Sequence, residues 1–386
     1  MSSLAQFAPA LRERPVSRRE TLRIAPDPSL LELLAFQHGQ VYDSYLACET
    51  DREQFWSSDR SGVVTYVKVG SHLKVGDGLL ASEKDKPRLL AEFVQFVRKN
   101  FKSAVFFNIT EADLPHYRRY GMQATKWGED ALVKLTDWTC QGKAFEWLRR
   151  QRNYCKRQNI ACSEWHPDQA GDDERQALQD ELMFVAQDSL SNKPQSSEMK
   201  FFEGRLDFSN LGRKRIFIAR SEDGKGRIEA FVVANPYQSG KKWAFEIYRH
   251  RQDAVRGVVP HLKLAAMDLL KAEGIQEVSL CLIPGHNCTS QKSGDSKLIR
   301  RALCIGARCV NAFFDLAGIY HYKSRFRPQL ESRYVCAYPR STPMTMLTSA
   351  YLLGFMQVSP VKVVKQAWRQ WTSRSRQTLA KAHADE

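Results

Sequence analysis

One plan occurs twice in this chain, and it constrains the fold more than any other feature. In the first half, Lys86–Phe101 sets Leu89, Leu90, Phe93, Val94 and Val97 on one helical stripe. "SAVFFNIT" (Ser103–Thr110) follows as a short apolar run suited to a buried strand. "LPHYRRYGMQ" predicts a helix stopped by Gly121, then strand material to Leu135. In the second half, Val258–Glu273 carries Leu262, Ala265, Ala266, Leu269 and Leu270 on one face and ends at Gly274. "EVSLCLIP" (Glu277–Pro284) is again an apolar strand, and "SKLIRRALCIGARCV" predicts a helix stopped by Gly306 before an extended segment. Helix, buried strand, helix, glycine, strand in each half reads as a diverged internal duplication. Strands precede both copies. Ser29–Cys48 reads as a helix leading to a strand pair, Val63–Val69 and His72–Leu80. Ahead of the second copy, "RKRIFIARS" and "GRIEAFVVANP" flank the turn "EDGKG", and "KKWAFEIYRH" completes an antiparallel meander.

The chain has 386 residues, more than one core usually holds. The expected division is a basic arm over 1–28, one unit over 29–140, a second over 141–340, and a tail over 341–386. The formal charge of +15 points to an anionic partner, nucleic acid or membrane surface. Nine cysteines without CxxC pairs argue against a disulfide framework or a zinc knuckle and suit a reducing cytoplasm. The N-terminal stretch lacks the apolar core of a secretory signal, and no run of 18 apolar residues predicts a membrane span. In the tail, Val361–Arg376 mixes Val363, Val364, Trp368 and Trp371 with Lys362, Lys365, Arg369, Arg374 and Arg376. That mixture suits a helix lying on anionic lipid; docking on the protein core is the alternative.

A three-stranded meander followed by helix, strand, helix and strand resembles the GNAT acyltransferase order. The resemblance implies an α+β (mixed α/β) class: tandem GNAT-like domains, each with a mostly antiparallel central sheet flanked by helices. That fold binds acyl-CoA pyrophosphate on a glycine-rich loop reading Arg/Gln-x-x-Gly-x-Gly/Ala. Here the loop reads "RHRQDAVRGVVP", keeping Arg251, Arg256 and one glycine, Gly257. Without the other glycines the backbone cannot wrap a pyrophosphate closely. A donor other than acyl-CoA is therefore expected.

Four further stretches narrow the resemblance. "GIYHYKSRFRPQLESRY" carries Gly318, Tyr322, Lys323, Phe326, Pro328, Glu331, Arg333 and Tyr334 at the spacing Gly-x-x-x-Tyr-Lys-x-x-Phe-x-Pro-x-x-Glu-x-Arg-Tyr. This is similar to the signature that closes the catalytic domain of phosphatidylglycerol lysyltransferases. "KWGEDALVKL", "GKAFEWLRRQRN" and "FFEGRLD" resemble three other segments of that family, in order. The resemblance implies transfer of an amino acid from aminoacyl-tRNA to a phospholipid head group such as phosphatidylglycerol. The expected partners are aminoacyl-tRNA and an anionic phospholipid or membrane surface, with no metal and no cofactor. The expected location is cytoplasmic, peripheral on the inner face of the cytoplasmic membrane if the tail binds lipid. The family's flippase segment is not seen in this sequence. The family's Asn-Gly-x-Met-Asp is replaced by Arg256, Gly257, Val258, Val259 and Pro260, so its Asp is gone. Two other readings stay open: an N-acyltransferase using acyl-CoA or acyl carrier protein, and a non-catalytic RNA- or lipid-binding homologue.

An aminoacyl ester is already activated. Its transfer needs a held tRNA end, a positioned acceptor and stabilisation of the developing oxyanion. Lys323 and Arg333 are the expected electrostatic residues, with Glu331 orienting one of them or holding an amino group. The bland alternative is a structural ion pair. Strand alternation puts Trp243, Phe245, Ile247 and Arg249 on one face and Ala244, Glu246, Tyr248 and His250 on the other. Glu246 would then accept a proton or bind the substrate's α-ammonium; a solvated sheet face is the alternative. Tyr322, Arg205, Arg256, Gly257 and His261 are expected near the substrates. His250 and His321 are weaker candidate bases. On the helix Gly142–Arg157, Phe145, Leu148 and Cys155 share a face. Lys143, Arg149, Arg150, Lys156 and Arg157 are available for tRNA phosphates. Arg152 falls on the apolar face and is expected to reach into the substrate cavity, since an inward arginine needs a partner.

Overall fold

The computed structural model describes residues 27–191, 200–288, 294–310 and 316–353. Most of the expected arm and the Val361–Arg376 segment lie outside the described residues. The first half runs α1 (Pro28–His38), β1 (Glu53–Trp56), β2 (Gly62–Val69), β3 (His72–Val75), β4 (Leu80–Ala81), α2 (Lys86–Asn100), β5 (Ser103–Ile109), α3 (Leu114–Arg118) and β6 (Thr125–Lys134). The second runs α4 (Glu146–Arg157), β7 (Ala161–Trp165), α5 (Asp172–Ser191), α6 (Lys200–Glu203), β8 (Arg215–Arg220), β9 (Ile228–Tyr237) and β10 (Lys242–His250). It continues through α7 (Val258–Ala272), β11 (Glu277–Pro284), α8 (Lys297–Val310), α9 (Leu316–Ser324), β12 (Gln329–Tyr338) and α10 (Pro343–Leu352).

The strands form one sheet in the order β1-β2-β3-β5-β12-β6-β11-β10-β9-β8-β7, with β4 beside β2. The order reads alike outward from its centre, where β12 and β6 pair antiparallel. On one side β12 pairs antiparallel with β5, which pairs parallel with β3. On the other, β6 pairs antiparallel with β11, which pairs parallel with β10. Thus the last strand of the second half closes the sheet of the first, and the last strand of the first half closes that of the second. Each half completes its ladder with a strand from its twin, so the duplication shares a single sheet.

Helices cover both faces. α4 and α7 pack on the second half with Leu148, Cys155, Leu262, Met267 and Leu270 in its core. α5 covers the opposite face through Leu182 and Val185 against Ile216, Ile218 and Phe231. α2 and α3 bury Leu89, Phe93 and Tyr117 against β2, β3 and β5.

Several expectations are corrected. The predicted helix Ser29–Cys48 stops at His38; Gly39 is extended, and a 3₁₀ turn follows at Ser44–Cys48. A side chain at Gly39 would lie 2.4 Å from the Ala35 carbonyl. The strand predicted over His72–Leu80 breaks after Val75. α8 runs through Gly306 to Val310 rather than stopping there. α9 has no counterpart in the first half. β1, β7 and α5 were not expected. α7 is buried on nearly every side because α4 covers the face turned from the sheet. Among the described residues, no helix is long and apolar enough to cross a membrane.

Candidate active site

The parallel pair β10–β11 is short: Lys242, Trp243 and Ala244 pair with Glu277, Val278 and Ser279, and then the strands part. Both strands are irregular at the parting. The β10 register against β9 shifts between Phe245 and Ile247, leaving Glu246 as an extra residue. The β11 register against β6 shifts between Ser279 and Leu282, and Cys281 takes a positive φ of 66°. Such bulges re-aim side chains.

This bulge corrects the expected alternation of β10. Tyr248, not Ile247, packs with the core of Trp243 and Phe245. Ile247 turns to the α5 side.

Lys323 of α9 reaches this parting. Its buried Nζ donates to the carbonyls of Cys281 and Leu282, both at 2.9 Å. These lie just beyond the last β10–β11 pair, where β11 has no strand partner on the β10 side. Burial depresses the Lys323 pKa, against the pull of Cys281, Asp130 and Glu203.

A path of hydrogen bonds joins three of the expected residues. Glu331 accepts from Arg333 Nη1 at 3.1 Å, and Arg333 Nη2 meets Asp130 Oδ2 at 2.9 Å. Asp130 Oδ1 accepts from Ser279 Oγ at 2.6 Å, and Ser279 Oγ accepts from the Cys281 amide at 2.9 Å. The Cys281 carbonyl then accepts from Lys323. Arg333 and Asp130 are buried, whereas the Glu331 side chain is about half exposed. The path crosses β12, β6 and β11, strands contributed by both halves. Cys281 Sγ donates on to the Phe245 carbonyl at 3.4 Å, bridging to β10.

Across the parting lies Glu246, 7% exposed. One carboxyl oxygen accepts from Asn235; the other is buried with no hydrogen-bond partner. Burial drives its pKa well above the carboxylate range; Lys214 pulls it back, and Glu49, Asp43 and Glu203 push it further up. The site therefore presents a buried acid waiting for a donor.

Beside Lys323 stands a lysine that sequence reasoning missed. Lys263 Nζ is buried without a hydrogen-bond partner, 3.8 Å above the Tyr248 ring and 5.2 Å from that of Tyr322. Burial, with Lys323 adding to it, lowers its pKa to about 7. The Tyr322 hydroxyl is also buried and unpartnered. The missed signal was a lysine in the apolar run "HLKLAAMDLL", one turn before Ala266 and Met267. Asp130 lay inside the quoted "KWGEDALVKL" segment.

Beside Asp130 on β6, Glu129 gathers a second polar group. Its carboxylate meets Lys126 Nζ at 2.5 Å, His286 Nδ1 at 2.6 Å and Asn287 Nδ2 at 3.0 Å. Burial opposes ionisation there, but Lys126 and His286 hold Glu129 below its usual pKa. His286 stacks on Tyr320 of α9 at 4.1 Å.

Other expected residues sit elsewhere. His261 lies on the side of α7 away from Lys263, with Nε2 at 3.3 Å from the Ile160 carbonyl. Arg256 is exposed at the loop before α7. Gly257 has a φ of 86°, and a side chain there would strike Gln151 of α4. Arg205 pairs with Asp51 at 2.9 Å. His250 meets the Arg251 carbonyl, and His321 meets Arg325. Lys143, Arg150, Lys156 and Arg157 are exposed along α4 and its approach. Arg150 pairs with Glu146, and Arg149 folds back on the Cys140 and Gly142 carbonyls. Arg152, expected to reach toward a substrate, is instead engaged by a neighbouring helix. Its guanidinium lies 2.9 Å from Asp268 of α7, the partner an inward arginine needs.

Comparison with known proteins follows the same outline. Residues 31–337 match the family described as phosphatidylglycerol lysyltransferase, C-terminal. A phosphatidylglycerol lysyltransferase of Bacillus subtilis is 26% identical over 331 residues, covering 85% of this chain and 37% of that protein. One from Staphylococcus epidermidis is 24% identical over 309 residues, covering 80% and 35%. The chain thus spans a little over a third of the length of these relatives. Among solved structures, L-PGS from Bacillus licheniformis superposes with a TM-score of 0.69 at 24% identity, covering 85% of this chain and 98% of that one. A C-terminal domain (DUF2156) from Agrobacterium fabrum gives 0.70 at 21%, covering 86% and 97%. These likenesses establish the shared mixed α/β fold with its mostly antiparallel sheet.

Proposed function

The chain belongs to the phosphatidylglycerol lysyltransferase C-terminal family, and from that premise we propose that it moves an amino acid from aminoacyl-tRNA to the hydroxyl of an anionic phospholipid head group. The observation that carries this reading is the parting of β10 and β11. Lys323 fills the gap between the strands, Lys263 and Tyr322 lie buried and unpartnered beside it, and Glu246 at the β10 bulge keeps an unpartnered carboxyl oxygen.

The chemistry needs no covalent enzyme intermediate. The acceptor oxygen forms a bond to the ester carbonyl carbon, the bond to the ribose oxygen breaks, and the acceptor's proton ends on that ribose oxygen. Lys263 and Tyr322 are the donors able to meet a carbonyl oxygen as it gains charge, because neither has a hydrogen-bond partner in the protein. Lys323 holds the β11 backbone in its bulged shape, and Arg333, Glu331 and Asp130 brace the same strand. Glu246 suits the aminoacyl α-ammonium. A buried acid with a raised pKa and no cation in contact ionises when a cation is brought to it. The exposed cations of α4 suit tRNA phosphates, where they position without reading sequence.

The acyl-CoA alternative is weaker on two counts. Lys323 already occupies two β11 carbonyls that an extended ligand would use. Gln151 of α4 lies against Gly257, and Cys155 Sγ approaches the Arg256 carbonyl, so α4 covers the loop that would cradle a pyrophosphate.

The test supplies labelled aminoacyl-tRNA and phosphatidylglycerol vesicles and measures label in the extracted lipid. Transfer is expected with tRNA-borne amino acid and not with acyl-CoA; the reverse outcome would establish the alternative. Glu246→Gln is expected to raise the KM for aminoacyl-tRNA about tenfold or more, matching roughly 1.4 kcal/mol or more of lost binding. The unfolding temperature should change little, because the amide keeps the size of the side chain and an oxygen to accept from Asn235. An unchanged KM would remove Glu246 from substrate binding.

A further inference from the structure

α10 leaves a stripe of large apolar side chains on its outer face although its most buried residues are polar. Its buried residues are Thr345, Thr348 and Ser349. Its exposed ones are Met344 (50%), Leu347 (51%) and Tyr351 (48%). Spacings of three and four residues place these side chains in one stripe along the outer face. Eight large apolar side chains are exposed among the described residues, and three of them lie here.

The inward polar face has a clear cause. Lys74 of β3 is fully buried beneath the helix and donates to the Thr345 carbonyl at 3.1 Å and to Ser349 Oγ at 2.9 Å. Thr348 Oγ1 and Ser349 Oγ also bond back to carbonyls within the helix. A capping box closes its start: Thr342 Oγ1 accepts from the Thr345 amide, and Thr345 Oγ1 accepts from that of Thr342. α10 is thus anchored by these hydrogen bonds and by Met346 and Leu352, which pack on the core, while Met344, Leu347 and Tyr351 are left outward. A contiguous apolar stripe on an anchored helix marks an interaction surface rather than a packing accident.

The sequence around the stripe indicates what covers it. From Pro343 to Ala384 there is no Asp or Glu, while Lys362, Lys365, Arg369, Arg374, Arg376 and Lys381 are present. Apolar contact joined to unopposed positive charge is the chemistry of an anionic lipid interface. We propose that the Met344–Leu347–Tyr351 face of α10 is the surface by which this protein sits on an anionic membrane, its three side chains entering the acyl boundary. The proposal deepens the lipid-acceptor reading above and rests on it. It names the part of the molecule that meets the bilayer.

The test uses the full chain, without tRNA, so that docking is read separately from transfer. Binding is measured by co-flotation with phosphatidylcholine vesicles containing one third phosphatidylglycerol, and with pure phosphatidylcholine vesicles. The combined variant Met344→Ser, Leu347→Ser, Tyr351→Ser is expected to partition at least tenfold less to the anionic vesicles with its unfolding temperature unchanged. In a second arm, Leu347→Cys is alkylated with a maleimide, and modification of its peptide is read by mass spectrometry. The thiol is expected to react readily in solution and to be protected several-fold on anionic vesicles. Protection without vesicles at every protein concentration would mean that the chain's own C-terminal segment covers the stripe. Protection that grows with protein concentration would mean a second copy covers it. Unchanged reactivity on vesicles, or no vesicle binding at all, would mean the face does not meet lipid. Each of these three outcomes overturns the proposal. Docking that persists in a preparation without transferase activity would leave this surface standing and remove only the proposed reaction.

Discussion

Two neighbouring buried lysines here are accommodated in opposite ways. Lys323 is buried but engaged by two carbonyls. Lys263 is buried over an aromatic ring with no hydrogen bond. The second arrangement costs stability whenever the amine is protonated. In the unfolded chain Lys263 keeps its proton up to its ordinary pKa of 10.5, and in the folded protein it loses it near 7. Between those values the unfolded state holds more protons, so stability rises with pH across that window. Lys263→Met is therefore expected to be more stable than the parent below pH 7. The advantage should shrink by at most about 1.4 kcal/mol per pH unit as pH climbs toward 10. Urea melts at pH 6, 8 and 10 check this; an advantage that grows with pH would contradict it. Nothing in local propensity marks Lys263 as special, because helix stripes admit a stray lysine. Its meaning came only from what α9 and β10 pack against it.

At the scale of elements, the parting of β10 and β11 is held open by their neighbours. Bulges at Glu246 and at Leu280–Cys281 end the parallel ladder, and α9 inserts Lys323 where a strand partner is missing. Removing that ammonium strands buried carbonyls. Lys323→Met is expected to destabilise the protein by about 2 kcal/mol, as for loss of hydrogen bonds that leaves buried acceptors unsatisfied, and to lower transfer further by freeing the bulge. Thermal melts with transfer assays check both. Full stability would deny Lys323 its bracing role. Most elements of the repeated plan were legible: α2, β5, α7, β11 and the β8–β10 meander fall where periodicity predicts them, because long stripes and apolar runs are strong local signals. The bulge was not legible. Alternation assumes an unbroken ladder, and only the pairing with β9 reveals the extra residue at Glu246.

For the whole molecule, the exchange of β6 and β12 matters most. A fragment of residues 1–140 keeps β5 and β6 but lacks β12, which lies between them, and β11 on the far side of β6, so β5 loses one partner and β6 loses both. Expressed alone, it is expected to show no cooperative thermal transition by circular dichroism. Co-expressed with residues 141–386, it should co-purify and regain one. Cooperative folding of the first fragment by itself would show that the shared strand is dispensable.

Local pattern by itself determined that this chain folds as twin α+β halves, that it carries a large net positive charge, and that the segment ending in Arg333 and Tyr334 resembles a known family signature. These follow from periodicity, charge and spacing, which are properties of neighbours along the chain. Tertiary structure alone decided that the halves trade strands, that Arg152 turns to Asp268, that Lys263 meets Lys323 and Tyr322, and that α10 leaves Met344, Leu347 and Tyr351 outward. Each depends on contacts between residues far apart in sequence, where burial and pairing, not local propensity, set the energy.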